Sequence, residues 1–275
     1  MSNLLALAAA GLYGAADFAG GLATRRLQAW RVTAWSQLIG VPLLIGGILI
    51  TGWTSVDPSD IAFGAIGGVL GLVGIVALYA ALSEGTMSIV SPMTGVLTAA
   101  FTIVWGLASG EDIAGVQWMG IVLAVGAVVL IAADRTDARM TRTVFAKTVG
   151  ASIGFAGFFI AFAQTSQEAG LIPLAVGRGL GVPVAFMIAA SVRSAARPPT
   201  DSLGIVFLAG NADVAANIAI VIALQRGPLG ISSVLVSLYP MFTVLAAMVV
   251  LGERPTAPQR IGIVLAIIGA ALLVM

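Results

Sequence analysis

The sequence predicts an all-α integral membrane protein of ten transmembrane helices, arranged as two five-helix repeats of opposite orientation. Three observations carry this expectation. Hydrophobic residues make up 59% of the 275-residue chain and charged residues only 9%. Soluble domains are about a quarter charged, so this chain lacks the polar surface a water-soluble fold needs. Ten apolar runs divide the chain, and a helix needs about 20 apolar residues to cross a bilayer. Finally, words of sequence recur 142 residues apart.

The runs are 3–23, 31–52, 60–83, 87–109, 114–133, 146–166, 172–191, 202–224, 229–251 and 257–274. No Lys or Arg precedes the first run, whereas Arg25 and Arg26 follow it. That reverses the charge order of a secretory signal, so the segment reads as a retained first helix. Asp57-Pro58 separates the second run from the third, which carries Gly64, Gly67, Gly68, Gly71 and Gly74, a pattern that permits close helix approach. The fourth run ends at Glu111-Asp112. A linker with Arg135, Arg139, Arg142 and Lys147 follows the fifth and divides a first repeat, 1–140, from a second, 141–275. Pro198-Pro199 and Gly227-Pro228 bound the eighth run. Continuous apolar runs of this kind are helical; a closed barrel would show short alternating segments. Pro42, Pro92, Pro183 and Pro240 fall inside the second, fourth, seventh and ninth runs, where each frees a backbone carbonyl; pivots lining a cavity and plain packing kinks are both open readings. The five tryptophans mostly fall near run ends, as in an interfacial aromatic belt, and Trp105 and Tyr79 are the aromatics that could face a cavity.

The repeat is read from separate words at one offset. Ala81-Leu82-Ser83-Glu84-Gly85 matches Ala223-Leu224-Gln225-Arg226-Gly227, Gly110-Glu111 matches Gly252-Glu253, and Gly120-Ile121-Val122-Leu123-Ala124 matches Gly262-Ile263-Val264-Leu265-Ala266, all 142 residues apart. Gly40-Val41-Pro42 matches Gly181-Val182-Pro183 at 141, and Arg178 then aligns with Gln37. Five crossings per repeat turn the second copy upside down, a plan common among secondary transporters. Loop charge points the same way. The odd-numbered connections hold eleven Lys and Arg residues and the even-numbered ones a single one, Arg226. The positive-inside rule then places both termini outside the cytoplasm, in a multi-pass protein of a bacterial-type inner membrane.

The chain has no cysteine and no histidine. Disulfides, thiol chemistry, zinc-protease motifs and Ser/His or Cys/His nucleophile pairs are therefore excluded. No nucleotide-binding loop occurs, no cofactor is expected, and nothing points to nucleic acid.

Tyr13-Gly14-Ala15-Ala16-Asp17-Phe18 resembles the aromatic-Gly-x-x-polar-Phe signature of the drug/metabolite transporter superfamily. Gly110-Glu111 with Gln117 and Gly120, and Gly252-Glu253 with Gln259 and Gly262, resemble its "G-E … Q … G" boundary. The resemblance, to the ten-helix EamA-like branch, covers essentially the whole chain. It implies export or exchange of amino acids, nucleosides, toxic cations or other small metabolites through a cavity between the halves. It also implies cytoplasmic termini, opposite to the loop charges.

Ionisable residues in mid-membrane are costly, and they mark pairs or pathways. Asp17, some fourteen residues into the first helix, shares a face with Tyr13. It reads as a contact for a substrate amine or cation, as a protonatable coupling site, or as a structural pair. Asp213 and Asn217 share a stripe in the eighth run, with Asn211 nearby; interhelical hydrogen bonding is the alternative role for the asparagines. Arg178 either snorkels, or pairs with Asp17 or Asp213, or holds a substrate carboxylate. Gln37, Tyr239 and Tyr79 complete the candidate substrate or coupling residues. The expected function is a secondary carrier of a small metabolite such as an amino acid, driven by a substrate gradient, a proton or another ion. A transport-inactive scaffold, a lipid-linked-sugar flippase, and an enzyme built on an Asp17–Asp213 dyad are the alternatives.

Overall fold

A computed structural model describes residues 1–24, 26–82, 87–132, 141–252 and 256–274. Its helices are α1 (Ser2–Thr24), α2 (Ala29–Ile39), α3 (Val41–Thr51), α4 (Pro58–Leu82), α5 (Met87–Ala108), α6 (Gly115–Ala132), α7 (Arg142–Ala163), α8 (Ile172–Ser191), α9 (Thr200–Arg226), α10 (Leu229–Val236), α11 (Tyr239–Leu251) and α12 (Ala257–Val274). No strand occurs among the described residues. Two of the ten apolar runs are interrupted, which the sequence reading did not foresee. α2 passes into α3 at Gly40, and α10 into α11 at Ser237 and Leu238. Pro42 and Pro240 each sit in the first turn of the second piece, where a missing N–H leaves no intrahelical bond unmade. Pro92 and Pro183 instead lie within the unbroken α5 and α8.

With each interrupted pair taken as one segment, eight helices among the described residues are long and apolar enough to cross a membrane; Pro92–Ala108 and Gly115–Ile131 are shorter apolar stretches. The outer surface is apolar, with Ile50 and Val249 respectively 86% and 85% exposed.

The largest packing interfaces join the two halves of the chain. α4 packs on α7, α1 on α9 and α6 on α12, followed by α4 on α8 and α5 on α7. Glycines make these approaches possible. A Cβ on Gly68 would strike the backbone of Gly177, and one on Gly210 would strike the backbone of Ser36. Gly67, Gly71 and Gly74 of α4 make room for the rings of Phe162, Phe158 and Phe155 of α7.

The "G-E … Q … G" words acquire a physical meaning at both ends of the 142-residue repeat. Gly110 (φ 88°) and Gly252 (φ 67°) adopt left-handed backbone after α5 and α11, a conformation that favours glycine. Gln117 Oε1 accepts the Ala114 N–H at 3.1 Å, and Gln259 Oε1 the Thr256 N–H at 2.9 Å. Each side chain thereby satisfies an amide at the start of its own helix. A Cβ on Gly120 would lie 2.9 Å from Leu273 Cγ and 3.1 Å from the Gly269 carbonyl oxygen. One on Gly262 would lie 2.8 Å from Ile131 Cγ1 and 2.9 Å from the Ala127 carbonyl oxygen. The start of α6 thus meets the end of α12, and the start of α12 meets the end of α6: the two helices pack antiparallel through equivalent residues. Glu111 reaches across to α10, where its carboxylate accepts the N–H groups of Leu229 and Gly230, the latter at 3.0 Å. These amides have no partner within their own helix, and the helix dipole favours an anion there. Glu253 lies outside the described residues.

The chain ends and four connections are bonded together at one end of the bundle, called here the terminal end. Asn3 Nδ2 donates to the Leu273 carbonyl at 2.9 Å. Buried Asp60 accepts from the Ser166 N–H at 2.7 Å and the Ser166 hydroxyl at 2.9 Å. The Thr54 N–H donates to the Glu168 carbonyl, and Gln225 Nε2 to that of Gly170, both at 2.9 Å. The Asn3, Asp60 and Thr54 bonds, with those of Glu111, tie the halves together, whereas the Gln225 bond lies within the second half. At the opposite end, Trp35 Nε1 donates to the carbonyls of Ala195 and Ala196 at 3.2 Å.

Replacing Gly68 by Ala forces backbone apart at the α4–α8 crossing and is expected to cost about 1–3 kcal/mol, as overpacking does. Gly46, around which a Cβ would meet nothing within 4 Å, is the control: Gly46→Ala is expected to be neutral or stabilising. Thermal unfolding of the two purified variants checks the pair.

Candidate functional site

A cavity of about 570 Å³ lies between the halves, walled by α1, α2, α4, α5, α7, α8, α9, α10 and α11. It runs from Tyr13, Asn217 and Phe162 to Gly20, Gly21 and exposed Thr24 near the end of α1. None of its lining residues comes from the terminal-end connections.

Asp17 and Tyr13 stand one turn apart on the cavity face of α1. Between them Gly14 explains the glycine of the signature word: a Cβ there would strike the α11 start, 2.8 Å from the Tyr239 carbonyl oxygen and 2.9 Å from the Thr243 amide nitrogen. The Tyr13 hydroxyl donates to Asn217 Oδ1 at 3.2 Å, and Asn217 Nδ2 donates to the Asp213 carbonyl at 2.7 Å. The phenol is thereby fixed to α9. Arg178, on α8, forms an ion pair with Asp213 at 2.8 Å; the two side chains are 11% and 32% exposed. Arg178 follows Gly177, whose missing Cβ admits α4. Gln37 is buried opposite Gly181, and Tyr239 lies over Gly95. Asp17 lines the cavity half-buried, with no hydrogen bond or ion pair among the described residues.

The structure therefore brings Asp17, Tyr13, Arg178, Asp213, Asn217, Gln37 and Tyr239 to one cavity. It keeps Asn211 out: this side chain donates to the Phe207 carbonyl at 2.9 Å and does not line the cavity. Positions 213 and 217 are a helical turn apart and share a face, whereas 211 and 213 do not. The side chain of Tyr79 lies outside the described residues. Trp105, 47% exposed, is on the outer surface. Asp17 and Asp213 share no hydrogen bond, and Asp213 is committed to Arg178, so no carboxylate dyad is assembled.

Sequence reasoning missed the aromatic wall. Phe155, Phe158, Phe159 and Phe162 of α7 all line the cavity. Their spacing of i, i+3, i+4, i+7 is a one-face helical stripe, and that was the legible signal. Phe158 stacks tilted on Phe162, with ring centroids 4.6 Å apart, and edge-on to Phe159 at 5.6 Å. Thr94, Thr98, Ser233 and Ser237 add hydroxyls.

Asp213→Asn removes the partner of a largely buried guanidinium. The expected loss is roughly 1–3 kcal/mol, less than the about 3–5 kcal/mol of a fully buried pair because Asp213 is partly exposed. Asp17→Asn breaks no bond among the described residues and is expected to leave the melting temperature within about a degree or two. Melting of both variants in detergent distinguishes the paired from the unpaired carboxylate.

The fold is shared with a protein of known crystal structure, at a TM-score of 0.81 and 17% identity, over 100% of this chain and 98% of that one. No curated protein matches the sequence. The EamA-like transporter family matches over residues 1–133 and again over 144–275, the two stretches that carry the repeated words. The chain, a multi-pass membrane protein with Asp17, Asp213 and Arg178 lining a cavity between two related halves, belongs to the EamA-like transporter family.

Proposed function

We propose that the protein is a secondary carrier that exports or exchanges a small metabolite by alternating access at the cavity between its halves. The observation that carries this reading is the cavity wall, where a carboxylate with no partner among the described residues and an ion pair stand within membrane-crossing segments. Such groups are costly in a bilayer and are kept where they line a pathway. A scaffold would need neither the cavity nor a carboxylate without a partner.

In this reading the chain crosses the membrane ten times, as two inverted halves, 1–140 and 141–275. The antiparallel packing of α6 on α12 through residues 142 apart supports it. So does the exchange of partners: α4 against α7 and α8 has its counterpart in α9 against α1 and α2. An inverted pair of halves has two related arrangements, one open to each face. The present one is closed at the terminal end by Asp60, Glu111 and their partners, and its cavity runs the other way. Loop charge places the far end in the cytoplasm and both termini outside, so this state faces the cytoplasm. Substrate, proton or another ion gradient supplies the driving force.

Because the chain has no cysteine, Ser36→Cys places a single thiol in the cavity wall. A membrane-impermeant maleimide applied to oriented vesicles should label it from the cytoplasmic face rapidly and from the other face slowly. Adding Glu111→Ala should raise the slow rate severalfold. Labelling confined to one face in both variants would sink the alternating-access reading.

A further inference from the structure

From the distribution of charge and aromatic surface around the cavity, we infer that the carrier's ligand is an organic monoamine with an apolar or aromatic body and no carboxylate. The inference rests on the carrier reading and narrows it from small metabolites in general.

Among the described residues, three charged side chains line the cavity: Asp17, Asp213 and Arg178. Arg178 is the sole cation among the lining residues, and Asp213 already holds it at 2.8 Å. A substrate carboxylate entering the site would have to compete with that intramolecular pair while facing Asp17. An ammonium group meets the reverse situation. Asp17 offers a carboxylate without a hydrogen bond or ion pair among the described residues, at a cavity-lining position on α1. The neutral polar groups nearby also suit a small cationic head. Asn217 is spent on Tyr13 and its own helix, and neither supplies a positive charge for an anion. Among the described lining residues one net negative charge therefore remains, and a single ammonium balances it.

The aromatic part of the wall sets the rest of the ligand. α1 packs on α9 and α11, α7 packs on α4 and α5, and both α1 and α7 line the cavity. Of the four lining phenylalanines, Phe159 and Phe162 are buried, whereas Phe155 and Phe158 remain half-exposed. An apolar body placed against them would bury surface, and an aromatic ring would add edge or offset stacking. A volume near 570 Å³ is in the range of sites that enclose a small organic molecule. The anionic face on α1 and the aromatic face on α7 together describe the two ends of one amphiphilic amine.

The test uses three probes with one ring system and three charge states: phenethylamine (cation), phenylalanine (zwitterion) and phenylacetate (anion). Binding to the purified full-length chain is followed by ligand-induced thermal stabilisation. Phenethylamine is expected to bind about ten-fold or more tightly than phenylalanine, whose carboxylate is desolvated beside Asp17 without a free cation to meet it, and phenylacetate weakest. Asp17→Asn should abolish the preference for the amine, and Phe158→Leu should weaken all binding of the ring severalfold. Phenylalanine binding as well as phenethylamine, no stabilisation by any probe, or an unchanged amine preference in a folded Asp17→Asn variant would each overturn the inference. None of these results bears on the carrier reading, which the two-face labelling of Ser36→Cys decides without any ligand.

Discussion

Lipid is as apolar as the helices it surrounds, so helices in a bilayer gain little by hiding apolar surface from it. What joins them is van der Waals contact at short range, and that requires backbones to come close. In this chain the close approaches are concentrated between the halves, and glycine permits them: Gly68 on Gly177, Gly210 on Ser36, Gly120 on Gly269, Gly262 on Ala127. Removal of a side chain at these positions is what lets α4, α6, α9 and α12 cross the seam. Of these helices α4 and α9 also line the cavity, through Gly68, Gly71, Leu72, Ile75 and Leu78 and through Ala209, Asp213 and Asn217.

The charged groups follow from that arrangement. Arg178 can stand inside the bundle because Gly177 beside it lets α4 close over α8, and because Asp213 on the next helix neutralises it. Asn217 and Tyr13 extend the same α9 stripe to α1. Asp17 is left over, on a helix held against α11 through Gly14. A bundle that satisfies one carboxylate and leaves the other facing a cavity has built an asymmetric electrostatic site from two halves of common pattern. At the terminal end the carboxylates behave differently. Asp60 and Glu111 are saturated by backbone amides and a hydroxyl from the other half. There they act as ties between connections.

Much of this was legible residue by residue. The 142-residue words foretold equivalent positions, and the structure gives Gly110 and Gly252, Gln117 and Gln259, and Gly120 and Gly262 matching local duties. Mid-run charge pointed to Asp17, Asp213 and Arg178, because such residues are rare enough in apolar helices to stand out. The breaks at Gly40 and at Ser237–Leu238 were not legible. A proline in an apolar run is equally compatible with a kink and with a break, and the packing against α9 and α5 decides. Asn211 misled because sequence proximity to Asp213 is not facial proximity on a helix. The phenylalanine stripe of α7 was overlooked because an apolar stripe in a membrane helix ordinarily faces lipid or a neighbour.

By itself, the sequence determined the solvent and the duplication. Both are written in composition and in short words that must recur wherever the same turn, cap or close contact recurs. Only the tertiary structure decided which carboxylate is paired, which end of the bundle is tied shut and which aromatic face looks into the cavity. These depend on how helices distant in the chain rotate and cross, and the crossing geometry is set by contacts between halves that no single helix encodes.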